Sequence, residues 1–504
     1  MKLNFKNIFV AIASVGMLSA CSNQLDIVPE GAPGSGNFWK NENDAVTAVN
    51  ALYERFDDEN FYGRGFWWFI NASDDMVTGR VKAEGDNIKN FNRDFMGKDY
   101  TEGQWKMRYI VIKRANDIIK NVPGIKMDEK LKNRILGEAY FFSGLMYFEL
   151  GSTYGDARAG VPIINRDSVV ADKPIPRSAN VNVVYDYVEA ELLQAAAHLP
   201  YFSEYTPDEY GRPHKTAAYA WLSKMFLYKK DYAKAEQFAD SVILSGQHKL
   251  LDNFADVFTI ANNYSKEYVW SVASFAKGNG NGFGSILPGV MLENKGWGLY
   301  NGWGYYMPTK ELYDEYEAKD IRREATILKP GDAFTYFGEE KVYESSNSLS
   351  GYQFRKYMEP FSYAGGIHAS TNPDHPTTDL ALPLIRYAEV ILIKAEAKLM
   401  QGKNADAEIN MIRERAKLDP IENATMEDLK HERRCELAGE WANRHADLVR
   451  WGDAKAAYAQ PLHHYDGSVA WPARNFDPAV NHVWPVPISE VENSAGVVKQ
   501  NEGW

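Results

Sequence analysis

The chain has 504 residues, 45% of them hydrophobic, and carries a formal net charge of −12 at pH 7. That many apolar residues supply a sizeable core, and a chain with this acidic balance is a poor ligand for nucleic acid or for an anionic membrane surface. Two cysteines, Cys21 and Cys435, are too few for a disulfide framework, a zinc ribbon or a CxxC redox pair.

The N-terminal stretch MKLNFKNIFVAIASVGMLSAC has the features of a secretory signal. Lys2 and Lys6 precede an apolar run over 8–18 that is shorter than the ~20 residues needed to cross a bilayer. The run ends in LSAC, which resembles a bacterial lipobox and predicts cleavage before Cys21 and acylation of that cysteine. The alternative is an ordinary secretory signal that leaves Cys21 free.

The next segment predicts a tether followed by the first helix. With 1–20 as signal peptide, 21–36 contains SNQLDIVPEGAPGSG, a polar Pro/Gly/Ser stretch typical of a flexible linker. The first helix is expected near Asn41, with Asp44 three residues later, and continues through AVTAVNALYERF.

Two helical pairs show the clearest periodicity. In AAYAWLSKMFLYKKDYAKAEQFADSVILSG, apolar residues recur at i, i+3, i+4 and i+7 on both sides of a short turn, which predicts antiparallel neighbours. Small residues lie twelve positions apart at Ser223 and Ala235, and again at Ala395 and Ala407 in RYAEVILIKAEAKLMQGKNADAEINMIRERA. Both pairs resemble tetratricopeptide repeats, but they are too far apart for a regular array.

Other segments complete the organisation of the chain. RILGEAYFFSGLMYFEL and VYDYVEAELLQAAAHL predict two further helices. Three insertions of different composition, near 277–307, 328–380 and 456–487, are rich in Gly, Pro, polar or aromatic residues. Loops of this length in a compact protein are commonly functional, and their aromatics argue against disorder.

The first insertion contains the most unusual stretch, GWGLYNGWGYY over 296–306. Five of its eleven residues are aromatic and four are glycine, a composition that a core helix would not carry because each glycine costs ~1 kcal/mol. Glycine lets a loop lay rings flat on a surface, where they could stack on the apolar faces of sugars. Alternatively, the rings pack against the scaffold as loop core. FYGRGFWWFINASDD is a second aromatic cluster.

Several motifs occur together in order. After the lipobox-like LSAC come QWKMRYIVIKRANDIIKNV, a helix followed by YGDARAGVPII, then ERRCELAGEWANRHADLVRWG over 432–452, and a chain end reading HVWPVPISEVENSAGVVKQNEGW. Together they resemble the SusD/RagB family of outer-membrane lipoproteins over nearly the whole mature chain. The run over 433–452 is the most specific part.

The resemblance implies a mainly α protein. It implies one tetratricopeptide-like helical domain over 37–504, with long aromatic, loop-rich insertions. It also implies a lipid-anchored protein of the outer membrane, facing outside the cell, that binds oligo- or polysaccharide and passes it to a SusC-like TonB-dependent transporter. Neither catalysis nor a cofactor is expected. RagB-type members of the family, associated with peptide uptake, provide the alternative.

The resemblance also places the ligand site. In the family it is built from loops after the first helix and before a helix that here begins Pro308-Thr309-Lys310-Glu311-Leu312. The match is by region and not by a residue motif. The candidate ligand-binding residues are Trp297, Trp303, Tyr300, Trp67, Trp68, Asn71 and Asp75.

Other chemistry is weakly indicated. HERRC, His431 to Cys435, lacks the second histidine of a zinc-protease HExxH motif, and His463-His464 has no obvious third metal ligand. Asp74-Asp75 could serve a polysaccharide-cleaving enzyme only if two carboxylates flanked a sugar, which the sequence does not indicate. No metal site is predicted.

The charged residues between Arg433 and Arg450 recur at i, i+3 and i+4. At these spacings acids and bases on a helix pair with each other and with neighbouring helices. We therefore interpret the series as structural.

Overall fold

A computed structural model describes most of the chain. The described residues are 38–56, 58–63, 65, 67–79, 83–95, 99–164, 166, 173–274, 291, 302–336, 339–345, 348–359 and 378–504. Cys21 and the tether therefore lie outside the described residues. Among the described helices, none combines the length and the apolar composition that a bilayer-crossing segment needs.

Helices dominate the described part of the chain, which confirms the predicted fold class. They are α1 (Glu42–Tyr53), α2 (Trp67–Asn71), α3 (Ala83–Lys89), α4 (Asp99–Asn121), α5 (Glu129–Tyr154), α6 (Val181–His198), α7 (Lys215–Lys229), α8 (Tyr232–Ile243), α9 (Lys310–Glu315), α10 (Arg322–Thr326), α11 (Tyr387–Leu399), α12 (Asp406–Arg415), α13 (Met426–Leu437), α14 (Arg444–Trp451), α15 (Ala454–Tyr458) and α16 (Ile488–Asn493).

The first helix begins where the sequence predicts. The Asn41 side chain accepts from the backbone N–H of Asp44 at 3.2 Å, and the Asp44 carboxylate accepts from the N–H of Asn41 at 3.2 Å. This reciprocal capping box satisfies two donors that a helix N-terminus otherwise leaves unpaired.

The long helices pack in chain order. α4 contacts α5, α5 contacts α6, α6 contacts α7, and α7 contacts α8, after which α8 contacts α11 across the insertions. α11 then contacts both α12 and α13. The two predicted helical pairs are therefore spatial neighbours although the chain between them is long, and α5 and α6 confirm the two weaker helix predictions.

The α7–α8 pair shows how the sequence produces this packing. Lys230 adopts a left-handed conformation (φ 62°) between the helices, and Asp231 caps α8 by accepting from Lys234 N–H. The small Ser223 and Ala235 are both fully buried, and the Phe226 and Phe238 rings stack with centroids 5.5 Å apart. Burial of both small residues agrees with the close crossing predicted for this pair, whereas in the second pair Ala395 is buried but Ala407 is exposed.

The described strands form two-stranded antiparallel ribbons, all short. They are β1 (Met76–Thr78), β2 (Tyr268–Val272), β3 (Tyr306–Pro308), β4 (Ile327–Leu328), β5 (Ala333–Tyr336), β6 (Glu339–Val342), β7 (Gln353–Phe354), β8 (Leu382–Arg386), β9 (Leu462–His463) and β10 (Val469–Trp471). The pairs are β1–β3, β2–β8, β4–β7, β5–β6 and β9–β10. Three of these pairs join segments that are distant in sequence.

A buried cluster of charged residues joins the insertions to the last helices. We call it the charge cluster; its members are Glu267, Arg322, Arg386, Arg415, Glu436 and Glu440, each at most 5% exposed. Arg386 Nη1 lies 2.9 Å from Glu267 Oε1 and 2.5 Å from Glu436 Oε1, and Arg386 Nε lies 2.6 Å from Glu440 Oε2.

Glu436 is the shared anion of this cluster. Its carboxylate also pairs with Arg415, and it lies 3.2 Å from Arg322 Nη1. Burial alone would raise the pKa of Glu436, but the guanidinium groups of Arg415, Arg386 and Arg322 outweigh it and hold the pKa well below its usual range. The carboxylate is therefore ionised at any pH where the protein functions.

Glu436→Gln should strongly destabilise the protein. Removing one partner of a buried ion-pair network leaves uncompensated charges and costs about 3–5 kcal/mol. Because the folded-state pKa is depressed, this stabilisation is present above the unfolded pKa of about 4.3 and is lost as the pH falls toward the folded value. Urea unfolding at pH 7, followed by tryptophan fluorescence, measures the loss.

Glu427→Gln is the matched control for this substitution. Glu427 lies on the same helix, α13, and its side chain is 80% exposed. Its replacement should change the free energy of unfolding by less than about 0.5 kcal/mol. Equal effects of the two substitutions would contradict the structural role of Glu436.

Candidate ligand-binding face

The two chain regions predicted to build the ligand site meet in one short ribbon. β1 and β3 pair with Met76 opposite Pro308, Val77 opposite Met307 and Thr78 opposite Tyr306. We call this pair the ribbon. It joins the aromatic segment after α1 to the end of the 277–307 insertion.

Helix α9 locks the ribbon at one end. Thr309 caps α9 by accepting from Leu312 N–H at 3.2 Å, and its hydroxyl donates to the Asp74 carbonyl at 2.9 Å. Its backbone N–H also donates to the Asp75 carbonyl at 3.0 Å. The predicted Pro-Thr-x-Glu-Leu helix start is thus confirmed, and it sets the position of β3 against β1.

The other end of the ribbon depends on glycine. Gly79 N–H donates to the Tyr305 carbonyl at 2.8 Å, and a Cβ at Gly79 would lie 2.3 Å from the Gly304 carbonyl oxygen. No side chain fits at that distance. Glycine at position 79 therefore lets the two backbones approach closely. Gly304, on the other side of the contact, has a positive φ of 65°.

Trp67 and Trp68 lie beneath the ribbon. Both are 0% exposed; Trp68 has its ring 5.7 Å from the Tyr305 ring and 5.5 Å from the Tyr306 ring, and Trp67 lies 6.1 Å from Tyr306. Helix α3 covers Trp68 so closely that a Cβ at Gly85 would lie 2.2 Å from its ring. This corrects the expectation of a surface platform, because a fully buried ring presents no face to a ligand.

Asn71 and Asp75 also have structural partners. Asn71 is 0% exposed, and its amide donates to Thr78 Oγ1 at 2.9 Å. Asp75 is 1% exposed and accepts from Arg434 Nε at 2.7 Å. Their expected ligand contacts are corrected in the same way: the two side chains hold the ribbon to the scaffold.

Asp74 completes this support. Its carboxylate accepts from Arg444 Nε at 3.0 Å and lies 3.4 Å from Arg434 Nη2. Burial alone would raise the pKa of Asp74, but Arg434 and Arg444 outweigh it and lower the pKa. Burial raises the pKa of Asp75, but that side chain is 1% exposed and bonded to Arg434. The two carboxylates therefore do not flank an open space in which a sugar could lie, as glycoside hydrolysis requires.

The structural interpretation of the Arg433–Arg450 series is confirmed. Arg433 pairs with Glu389 at 2.9 Å and with Asp447 at 2.6 Å, both of which are buried. Arg450 pairs with Asp447 at 2.9 Å and with Glu396. These residues tie α13 and α14 to α11.

Among the candidate ligand-binding residues that the structure describes, Trp303 reaches the surface. It is partly buried, packs against the core, and meets the Tyr305 ring edge-on with centroids 6.3 Å apart. One side of the indole is thereby supported while part of it remains accessible. Trp297 and Tyr300 lie outside the described residues.

A hairpin flanks the ribbon, and none of its residues was among the sequence-predicted site residues. We call β9–β10 the hairpin. Leu462 and Trp471 pack against Val77 and Met307 of the ribbon. Trp471 donates its indole N–H to Asn90 Oδ1 at 3.0 Å, with Lys89 Nζ 5.7 Å from the ring centroid. The aromatic composition of 456–487 indicated this segment, but only the tertiary contact places it beside the ribbon.

Histidines near the face are engaged with carboxylates. His463 Nδ1 lies 2.5 Å from Glu311 Oε1. Within the described residues, Glu317, His431 and Glu432 form a group close enough to converge on a cation. However, the two Glu432 oxygens lie 2.7 Å from Arg413 and 3.1 Å from Arg322, so this arrangement is an ion-pair network.

The helical scaffold and its aromatic ribbon define the class of this protein. The family described as "SusD family" matches residues 266–504, and the family described as "Starch-binding associating with outer membrane" matches residues 40–227. The two matches together span most of the chain and confirm the resemblance. The chain belongs to the SusD family.

Individual relatives agree with this assignment. The chain is 27% identical to SusD-like protein P2 of Formosa agariphila, covering 97% of each chain. It is 25% identical to the starch-binding protein SusD of Bacteroides thetaiotaomicron, over 78% of this chain and 76% of that protein.

Solved structures support the fold. A SusD-like protein from Bacteroides fragilis superposes with a TM-score of 0.78 at 24% identity, covering 94% of this chain and 99% of that one. A laminarin-binding SusD-like protein superposes with a TM-score of 0.74 at 25% identity, covering 92% and 100%.

Gly79→Ala should disturb the ribbon. Because the added carbon would lie 2.3 Å from the Gly304 carbonyl oxygen, the backbones must separate. Overpacking of this kind costs about 1–3 kcal/mol. Thermal unfolding measures the loss, with Gly124→Ala as control, because nothing lies within 4 Å of a Cβ built there. If the two variants unfold alike, the close approach does not constrain the ribbon.

Proposed function

We propose that this protein is a surface lipoprotein that binds oligo- or polysaccharide without cleaving it and passes the glycan to a TonB-dependent transporter in the outer membrane. One observation of this chain carries the proposal. The ribbon brings the two aromatic regions together and presents a partly exposed Trp303 on a rigid, buried aromatic support.

The relatives favour a carbohydrate ligand. One structural relative is a laminarin-binding SusD-like protein, and another is described in complex with laminarihexaose. Sugars expose apolar C–H faces on which an indole can stack, while polar groups at the ring edge satisfy the hydroxyls.

The proposed contact residues are Trp303, Trp297 and Tyr300. The two tryptophans are six residues apart in a glycine-rich loop, a spacing that lets both rings contact more than one sugar unit. Two or three aromatic contacts of about 0.5–1.5 kcal/mol each leave a modest surplus after the cost of association. The expected dissociation constant is on the order of micromolar to millimolar, which suits a protein that must release its ligand.

Trp303→Ala and Trp297→Ala should each weaken glycan binding by about three- to thirty-fold. Isothermal titration against a panel of oligosaccharides, including laminari-oligosaccharides, identifies the ligand and then measures this loss. Circular dichroism shows whether each variant is folded. A folded double variant that binds as tightly as the parent would assign these rings to packing.

Trp451→Ala is the matched control. Trp451 is also partly buried and donates its indole N–H to Glu396 Oε1 at 2.9 Å. It ends α14, and its ring lies against Arg450 and Lys430. The Trp451→Ala variant should bind the glycan with an affinity within about twofold of the parent, since it loses no contact with the ligand.

Reducing-end release from a bound polysaccharide would overturn the non-catalytic part of the proposal.

The alternative is a RagB-like module that binds peptide or protein for uptake on the same scaffold. The same panel separates the two candidates when peptides are included beside glycans. If peptides bind at the Trp303 loop and no glycan of the panel binds detectably, the alternative replaces the glycan proposal.

Cys21→Ala should release the protein from the membrane. The proposed anchor is acylation of Cys21, and stable anchoring requires more than one acyl chain. On fractionation of the cells, the folded variant should appear in the soluble fraction.

Affinity purification of the parent protein from native membranes should recover one dominant, large outer-membrane protein. Recovery of periplasmic partners alone would contradict the transporter partnership.

A further inference from the structure

An open groove runs along the outer side of α4. Its volume is about 760 Å³, and its described lining comes from α4, from residues 162, 164, 166 and 173–175, and from the region of α16. None of its described lining residues belongs to the ribbon or the hairpin. The proposed glycan contacts therefore do not account for it.

The floor of this α4 groove is apolar. Trp105, Tyr109 and Ile110 contribute from α4, and Ile164 and Val498 from the opposite walls. Trp105 is 2% exposed and Val498 5%, so the floor belongs to the packed structure. Such a surface favours a ligand with apolar groups.

The rim of the groove is basic. Lys106, Lys113 and Lys120 follow each other at intervals of seven residues, which is close to two helical turns, so they lie along one side of α4. Lys173 and Arg166 come from the second wall. This local charge is opposite in sign to that of the whole chain, which is −12.

Several of these cations lack an anion. Lys113 pairs with Asp117 at 2.8 Å, and Arg166 pairs with Glu191 at 2.5 Å. Within the described part of the chain, Lys106, Lys120 and Lys173 have no ion pair. Glu490 also lines the groove, where it is hydrogen-bonded to the Trp105 side chain and attracted by Lys106; burial raises its pKa.

A buried amide supplies an independent sign of a missing ligand. Asn116 lines the groove, is 6% exposed, and accepts from Arg166 Nε at 3.3 Å through Oδ1. That bond fixes the amide orientation, and among the described residues Nδ2 has no hydrogen-bond partner. A buried donor without an acceptor costs about 1–3 kcal/mol, which a ligand oxygen would recover.

We propose that the α4 groove is the docking site for an extended segment of another polypeptide that alternates acidic and apolar residues. The rise from Lys106 to Lys120 along α4 is about 21 Å, the length of roughly six extended residues. The apolar side chains lie on the aromatic floor, the carboxylates meet the lysines, and a peptide oxygen accepts from Asn116 Nδ2. A neutral oligosaccharide would leave three ammonium groups unmatched.

The test uses the mature protein and a fluorescein-labelled peptide of sequence LELELE, blocked at its C-terminus. Fluorescence anisotropy should show saturable binding that weakens as salt is raised. The triple reversal Lys106→Glu, Lys120→Glu, Lys173→Glu should weaken binding at least about tenfold, because each attraction becomes a repulsion. Asn116→Asp, which keeps the acceptor for Arg166 but removes the donor, should weaken it similarly.

The controls separate charge, shape and location. The matched reversal Lys126→Glu, Lys249→Glu, Lys455→Glu alters three exposed lysines elsewhere and should change affinity less than about twofold. LKLKLK and SESESE peptides should bind at least about tenfold more weakly than LELELE. Glycan titration of the groove variants should match the parent, which shows that the two sites are independent.

Three outcomes would overturn the proposal. One is equal binding of SESESE, which would show that the apolar floor is not used. Another is unchanged LELELE binding in the folded triple reversal. The third is that polygalacturonate displaces the LELELE peptide and binds more tightly than the peptide does, which would assign the groove to an anionic polysaccharide.

Discussion

The buried pairing of Glu436 with Arg386, Arg415 and Arg322 is the interaction on which the rest of the fold depends. One carboxylate on α13 draws together the end of β8, the end of α12 and the helix α10. Desolvating these charges is costly, and only complete pairing offsets the cost. The cluster therefore permits one arrangement of the insertions on the helical scaffold and penalises others.

Buried charge pairs also support the candidate ligand face. Arg434, two positions before Glu436 on the same helix, pairs with Asp75, and Arg444 pairs with Asp74. These two acids directly precede β1, so the same charged segment that orders the scaffold also positions the ribbon. A loop-built face gains rigidity in this way without becoming part of a helix, and rigid support lowers the entropy lost when a ligand binds.

The two proposed sites use opposite chemistry. Near Trp303, aromatic rings rest on buried aromatic rings, a surface suited to neutral ligands with apolar faces. In the α4 groove, lysines and the Asn116 amide that have no ion pair or acceptor among the described residues surround an apolar floor, which suits an anionic, extended chain. A scaffold of packed helices with long insertions can hold both because helix surfaces and loops vary independently of the helix–helix core.

The sequence by itself determined the helical scaffold, because apolar periodicity, capping residues such as Asn41 and the twelve-residue spacing of small residues are local signals. It also determined the family, through the charged run over 433–452, and the two regions that meet at the ligand face. Only the tertiary structure decided which aromatics are accessible: Trp67 and Trp68 are buried, whereas Trp303 is not. Composition does not distinguish these cases, since burial depends on what α3 and β3 place over each ring, and β3 lies far from Trp67 and Trp68 in the sequence.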